Sequence, residues 1–190
     1  DTRNVTDFTG MFYECHNLRE VPPFYSHKGK TFDSMFYGCN RLLYGPELDL
    51  RSATTTAAMF SGCENMKRIV ALKNTGNVAD MREMFNGCRS LEVLPVLDVT
   101  GVTTDEGLTK TFNECFSLRE VYFKPGSLTC SLSLENTKVD MDCIRKLFEG
   151  LPTITTRKVI NLINTPGIGK LTAEDREVAT RKGWIILPAL

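Results

Sequence analysis

Asp80-Met81-Arg82-Glu83-Met84-Phe85-Asn86-Gly87-Cys88-Arg89-Ser90-Leu91-Glu92-Val93-Leu94-Pro95 is the stretch on which the reading of this 190-residue chain turns. Met81, Met84, Phe85 and Cys88 stand at i, i+3, i+4 and i+7, the spacing of one apolar helix face. Asp80 is placed to cap the helix start by accepting a backbone N–H. Gly87 is placed to end it, because glycine reaches positive φ without a Cβ clash. Leu91 and Leu94 then read as a short buried strand. A unit this small cannot bury its apolar face alone and must stack on copies of itself.

The copies are there. Phe8, Met11, Phe12 and Cys15 carry the same stripe, followed by Leu18 and Val21; Phe32, Met35, Phe36 and Cys39 repeat it, followed by Leu42. Thr56, Met59, Phe60 and Cys63 come next with Met66 and Ile69, and Leu108, Thr111, Phe112 and Cys115 close the series with Leu118 and Val121. Successive cysteines lie 24, 24, 25 and 27 residues apart, and Phe precedes Cys by three residues in every copy.

Met-Phe-x-x-Cys-x-x-Leu-x-x-Val, with Asn4-Val5-Thr6-Asp7-Phe8-Thr9-Gly10-Met11-Phe12 ahead of it, resembles the BspA-like leucine-rich repeats of bacterial surface proteins. The segment 170–187, K-L-T-A-E-D-R-E-V-A-T-R-K-G-W-I-I-L, is similar to the ending of such arrays in Bacteroides-type proteins. The resemblance covers residues 1–124. It implies an α/β fold, a leucine-rich-repeat-like solenoid of about five stacked helix–strand repeats with a C-terminal α/β cap. Residues 1–126 are expected to form the repeats and 127–190 the cap. It also implies a location on the bacterial cell surface or in secretion, and an adhesive role.

Composition bounds the rest. Lys plus Arg and Asp plus Glu both number 23, and hydrophobic residues make up 42%. A neutral chain without a basic stripe argues against nucleic acid and anionic membrane surfaces as partners. No apolar run approaches the roughly 18 residues of a membrane span. The chain opens at Asp1 inside a repeat, without Met, and reads as an excised piece of a longer protein whose other domains are partners. Its seven cysteines do not read as disulfides: layers of packed helices lie about 8–10 Å apart, beyond disulfide reach. The repeat column is expected to hold free thiols acting as small hydrophobes. No cysteine pair has zinc-site spacing.

Irregularities mark individual copies. Glu14 stands where a glycine stop is expected, Pro22-Pro23 forces extended backbone, and Phe24-Tyr25-Ser26-His27-Lys28-Gly29 replaces a polar strand exit. Gly45 is expected to loosen the second strand. After Lys124-Pro125-Gly126, Ser127–Leu134 reads as a strand and Asp140 caps a helix through Leu151. Lys158–Leu162 is a further strand, a final helix begins at Thr172, and Trp184–Leu187 closes the chain as a core strand.

Parallel strands place the residues between each buried pair outward. That face holds Arg19, Glu20, Leu43, Tyr44, Lys67, Arg68, Glu92, Val93, Arg119 and Glu120, with Tyr122 extending the row. From it, Arg19, Glu20, Tyr44, Lys67, Arg68, Glu92, Arg119, Glu120 and Tyr122 are taken as the ligand-binding set. Repeat sheets often serve as extended binding faces; the plainer account is a solvated face with favourable cross-strand pairs.

No catalytic set is expected. Gly167-Ile168-Gly169-Lys170 lacks the earlier glycine of a phosphate loop, since position 164 is Asn, and Lys170 is not followed directly by Ser or Thr. His16 neighbours Cys15, but Cys15 belongs to the repeat column, and a nucleophilic thiol would need exposure and a lowered pKa. No carboxylate pair asks for acid–base work, and no cofactor or metal is implied. The expected function is a non-catalytic cell-surface binding or adhesion module for a host matrix protein, mucin or glycan. The alternative is a structural spacer or assembly module without a ligand of its own.

Overall fold

The computed structural model describes residues 1–189. It corrects the fold expected from periodicity. The Met-Phe-x-x-Cys segments are not helices, so five stacked helix–strand repeats of a leucine-rich-repeat solenoid do not form. The fold is mixed α/β, with few short helices and two small parallel sheets. Strands β1 (Tyr44–Asp49) and β2 (Arg68–Lys73) pair in parallel, Tyr44 opposite Arg68. The second sheet joins β3 (Leu132–Ser133), β4 (Lys158–Asn161) and β5 (Trp184–Leu187) in that order. Among the described residues the two α-helices, α1 (Met141–Gly150) and α2 (Ala173–Thr180), both follow residue 140.

The repeat stripe instead folds as consecutive tight turns. Met84, Asn86 and Cys88 each donate an N–H to the carbonyl three residues back. The alternate residues Met81, Glu83, Phe85 and Gly87 donate outward, to Gly107, Thr109, Thr111 and Asn113 of the next copy. A helix would use all of these N–H groups internally. Two left-handed residues per copy prevent it: Glu83 at φ 54° and Gly87 at φ 73°, matched by Gly10 and Glu14, Ser34 and Gly38, Ala58 and Gly62, Lys110 and Glu114. Side chains three and four apart still point inward, which is why the pattern imitates a helix. The aspartates at the start are not helix caps. Asp7 Oδ1 accepts from Thr9 N–H and from the Thr31 hydroxyl, and Asp80 Oδ1 accepts from Arg82 N–H.

Each copy is therefore one rung of a hydrogen-bonded ladder, and the rungs approach more closely than packed helices. Phe12, Phe36, Phe60, Phe85 and Phe112 stack ring on ring, with centroids 5.2, 5.2, 5.9 and 5.9 Å apart. Phe36, Phe60 and Phe85 are wholly buried, as are Met35, Met59 and Met84. Gly45 does not loosen β1. A Cβ there would fall 2.9 Å from the Ile69 side chain, so the glycine makes room for the neighbouring rung.

The C-terminal segments follow the sequence more closely. Asp140 accepts from Cys143 N–H and starts α1. Thr172 and Asp175 form a reciprocal capping box on α2. Trp184 is buried, and its indole N–H donates to Pro152 O. The expected strand 127–134 is reduced to its last residues, because only Leu132 and Ser133 meet β4 in register.

Two substitutions test the ladder. Phe85→Ala empties a wholly buried site between two rings and is expected to lower unfolding free energy by about 3–5 kcal/mol in urea titration. Glu83→Gly is expected to raise it by roughly 0.5–1 kcal/mol, because glycine relieves a left-handed residue. The same change inside a helix would lower stability, by about 1 kcal/mol, so the sign alone separates the two structures.

Candidate binding surface

The outward face is built by main-chain pairing between rungs. Leu43 N–H donates to Arg19 O, Lys67 N–H to Leu43 O, Glu92 N–H to Lys67 O and Arg119 N–H to Glu92 O. Beside this row runs a second, Tyr44, Arg68, Val93 and Glu120, joined by parallel bridges. Of the nine residues expected to bind a ligand, seven thus lie on two adjacent rows: Arg19, Lys67, Glu92 and Arg119 on one, Tyr44, Arg68 and Glu120 on the other. Glu20 is exposed beside Arg19 but carries no bridge. Tyr122 departs from the rows: it is half-buried and its ring lies 5.1 Å from Lys146 Nζ of α1.

The charges on this face are unevenly paired. Arg119 Nη2 lies 3.2 Å from Glu92 Oε2, and the Arg68 guanidinium sits 5.2 Å from the centre of the Tyr44 ring. Among the described residues Arg19 and Lys67 have no carboxylate oxygen within 4.0 Å. A shallow hollow of about 250 Å³ opens between Arg19, Arg41, Leu43 and Asn65.

Two further hollows were missed by pattern reading. One, of about 590 Å³, is walled by Phe24, Tyr25, His27, Pro46, Glu47 and Val70. The insertion 24–29 was its visible signal. Asp49 also lines it; three hydrogen bonds from Arg51, two of them from its guanidinium, with another from Asn74, hold Asp49 down to about 2, and Glu47 is paired with Lys73. The other hollow, of about 350 Å³, lies between Tyr122, Phe123, Leu128, Lys146 and Leu151, where the turn ladder gives way to α1. Only long-range packing of a helix on the last rung creates it, so no local signal exists.

The thiol column has a defined job. All seven cysteines are free, and all but Cys15 are buried. Cys39, Cys63, Cys88 and Cys115 donate their thiols to Phe12, Phe36, Phe60 and Phe85 carbonyls of the preceding rung, each at 3.1 Å. Cys130 and Cys143 do likewise to Val102 and Val121. They are hydrogen-bond donors as well as small hydrophobes. Burial pushes the Cys39 thiol up to about 11 and Cys115 to about 12, with Cys63 and Cys88 also raised well above their ordinary value.

His16 Nδ1 lies 2.9 Å from Gly38 O, so that nitrogen donates to main chain and clips the first rung to the second. The loop 165–169 packs on the start of α1, with Gly167 N–H donating to Val139 O. Among the described residues no cluster of three or more His, Cys, Asp or Glu has a metal-binding arrangement, and no helix is long and apolar enough to cross a membrane.

A family model described as "Mycoplasma protein of unknown function, DUF285" matches residues 1–74 and, overlapping them, residues 30–120. Neither a curated protein nor a solved structure matches the chain.

The raised thiols set an alkaline limit on the fold. Protonated thiols are favoured in the folded chain, so their contribution is complete below the unfolded value of about 8.5 and is lost as pH rises toward 11 and 12. Urea midpoints measured from pH 7 to 11 are expected to be flat at first and to fall above about 8.5. A midpoint still level at pH 11 would rule out the thiol ladder as a source of stability.

Proposed function

The chain belongs to this DUF285 family, and from that membership we propose that it is a non-catalytic binding module of a BspA-like bacterial surface protein, presented at the cell surface or secreted. Its ligand is a host protein or glycan, a matrix protein or mucin among them, gathered on the two outward rows. The observation that carries this reading is the pair Arg19 and Lys67, two cations on one row with no carboxylate partner. One rung, that of Leu43, lies between them, and a ligand bearing acidic groups at intervals would meet both. Arg119, loosely held by an exposed glutamate, continues the same row. Ion pairs this exposed contribute little and yield readily to a competing anion.

A second reading has its own support. Arg89 bridges Glu64 and Glu114 across neighbouring rungs, Arg119 meets Glu92, and Arg68 covers Tyr44. A surface on which such cations are satisfied by neighbours from adjacent rungs suits a structural spacer that presents another domain.

The purified chain should be screened for saturable binding to matrix proteins, mucins and acidic glycans, beside the variant Arg19→Glu, Lys67→Glu, Arg119→Glu. We expect binding that the variant loses while its circular dichroism and melting temperature stay near those of the unaltered chain. Raising salt from 50 to 500 mM should weaken it, since the contacts are exposed. Binding retained by the variant would move the site off these rows. No binding across the panel would favour the spacer.

A further inference from the structure

The sheet side of the first rung meets β1 at its two ends and parts from it between them. Arg19 O accepts from Leu43 N–H, and Ser26 Oγ both donates to Asp49 O and accepts from Asp49 N–H. Between these anchors no main-chain hydrogen bond or bridge joins residues 21–25 to β1. The sequence supplies the cause. Pro22 and Pro23 have no N–H to give, and Tyr25 N–H is drawn off to Thr2 Oγ1. The facing strand is left with unmet groups. Alternate strand residues turn their main-chain groups to the same side. Glu47, two residues before Asp49, therefore faces the first rung, yet its N–H and carbonyl find no partner there. The hollow of about 590 Å³ opens at this gap, within the roughly 300–1,000 Å³ of small-ligand sites.

The walls suit one kind of ligand. Tyr25 offers an aromatic ring, steadied by the Arg3 guanidinium 5.5 Å from its centre and by the His27 ring edge-on at 6.3 Å. Val70, 62% exposed, and Pro46 add apolar surface. The carboxylates and the guanidinium of the wall are all in ion pairs, Glu47 with Lys73 and Asp49 with Arg51. An ionic ligand would find no unpaired counter-charge among them. The pairs still leave single positions open. Glu47 meets Lys73 through Oε1 alone, so Oε2 can accept; Arg51 meets Asp49 through Nε and Nη2, so Nη1 can donate. A sugar ring matches this set. Its hydroxyls are donors and acceptors at once, and the C–H groups of one face lie well on the negative face of an aromatic ring. An extended peptide does not match. A strand inserted beside β1 needs a gap of about 9–10 Å, twice the ordinary spacing, and both anchors hold the segment at hydrogen-bond distance.

We propose that this hollow is a binding site for a neutral sugar ring, which lies on Tyr25 and hydrogen-bonds to Glu47 and Arg51. The site is separate from the outward rows, whose proposed ligand is acidic, and either can hold without the other.

Glucose, galactose, mannose and N-acetylglucosamine are titrated at millimolar concentration into the purified chain and followed by saturation-transfer NMR. We expect saturable binding of at least one, unchanged when salt rises from about 50 to 500 mM, because no ion pair forms. Tyr25→Ala should weaken it about tenfold or more, and so should Val70→Glu, which sets a charge in the hollow from an exposed strand position. The variant Arg19→Glu, Lys67→Glu, Arg119→Glu should bind as the unaltered chain does. Binding of none of these sugars overturns the proposal, as does binding that survives both Tyr25→Ala and Val70→Glu, or binding lost in the folded triple variant. Binding of glucuronic acid or of a proline-only peptide in place of the neutral sugars overturns it too. Should Tyr25→Ala lose its fold by circular dichroism, Val70→Glu decides: weakened binding supports the site, and undiminished binding overturns it.

Discussion

One constraint governs the repeat region: half of the turn-side N–H groups are spent within a rung and half are sent to the next. The left-handed pair in each copy makes this split possible. Glu83 and Gly87 turn the chain after every two inward residues, so alternate amides face along the stack instead of back along the chain. A buried N–H without a partner is costly, and a single isolated rung would leave four of them open. Stability is therefore a property of adjacency. Each rung is completed by its successor, and the apolar column only reinforces what the amide direction already requires.

The spacing that results explains the side-chain chemistry. Rungs joined by main-chain hydrogen bonds lie closer than packed helices, and the phenylalanine rings stack at 5.2 to 5.9 Å. At that distance a residue larger than cysteine beside the Phe carbonyl would press on the rung below. The thiol is small, tolerates burial, and offers a weak donor to a carbonyl that already accepts one main-chain N–H. Closer spacing also removes the distance argument against disulfides. Each of the six buried thiols points its Sγ to a main-chain carbonyl rather than to another cysteine.

How much of this could be read from residues differs by element. The copies, their inward positions and their buried Met, Phe, Cys and Leu were legible, because burial depends on which side chains face the core. The conformation that places them there was not. Tight turns and helices both bring i, i+3 and i+4 to one side, and the deciding signal was faint. Gly10, Ser34, Ala58, Glu83 and Lys110 share a left-handed backbone but no side-chain chemistry. The C-terminal helices were legible from their caps, Asp140 and Thr172, whose side chains act locally. Of the outward face, seven of nine expected residues fall on two rows. Tyr122 does not, because it lies two residues beyond the Glu120 bridge, where its carbonyl accepts from Leu97 N–H. The hollow beside Tyr25 depends on the insertion 24–29 meeting Val70 two rungs away, a contact no local pattern encodes.

The same ladder bears on recognition. Because main-chain bonds set the rows, Arg19, Lys67 and Arg119 are held at rung intervals by backbone, and only the outer parts of their side chains remain free to move. A ligand that meets them pays rotamer entropy for long side chains, roughly 0.5–1.5 kcal/mol each, but none for ordering backbone. Cross-rung partners reduce even that where they exist, as Glu92 does for Arg119, at the cost of competing with the ligand for the cation. Arg19 and Lys67 face no such competition. On the proposed binding reading, such a face would favour extended partners with regularly placed anionic groups over compact ones, since its order lies along the stack. Main-chain pairing between rungs is equally compatible with the proposed binding face and with a spacer. What would separate the two roles is the pair of unpaired cations, Arg19 and Lys67, not the scaffold beneath them.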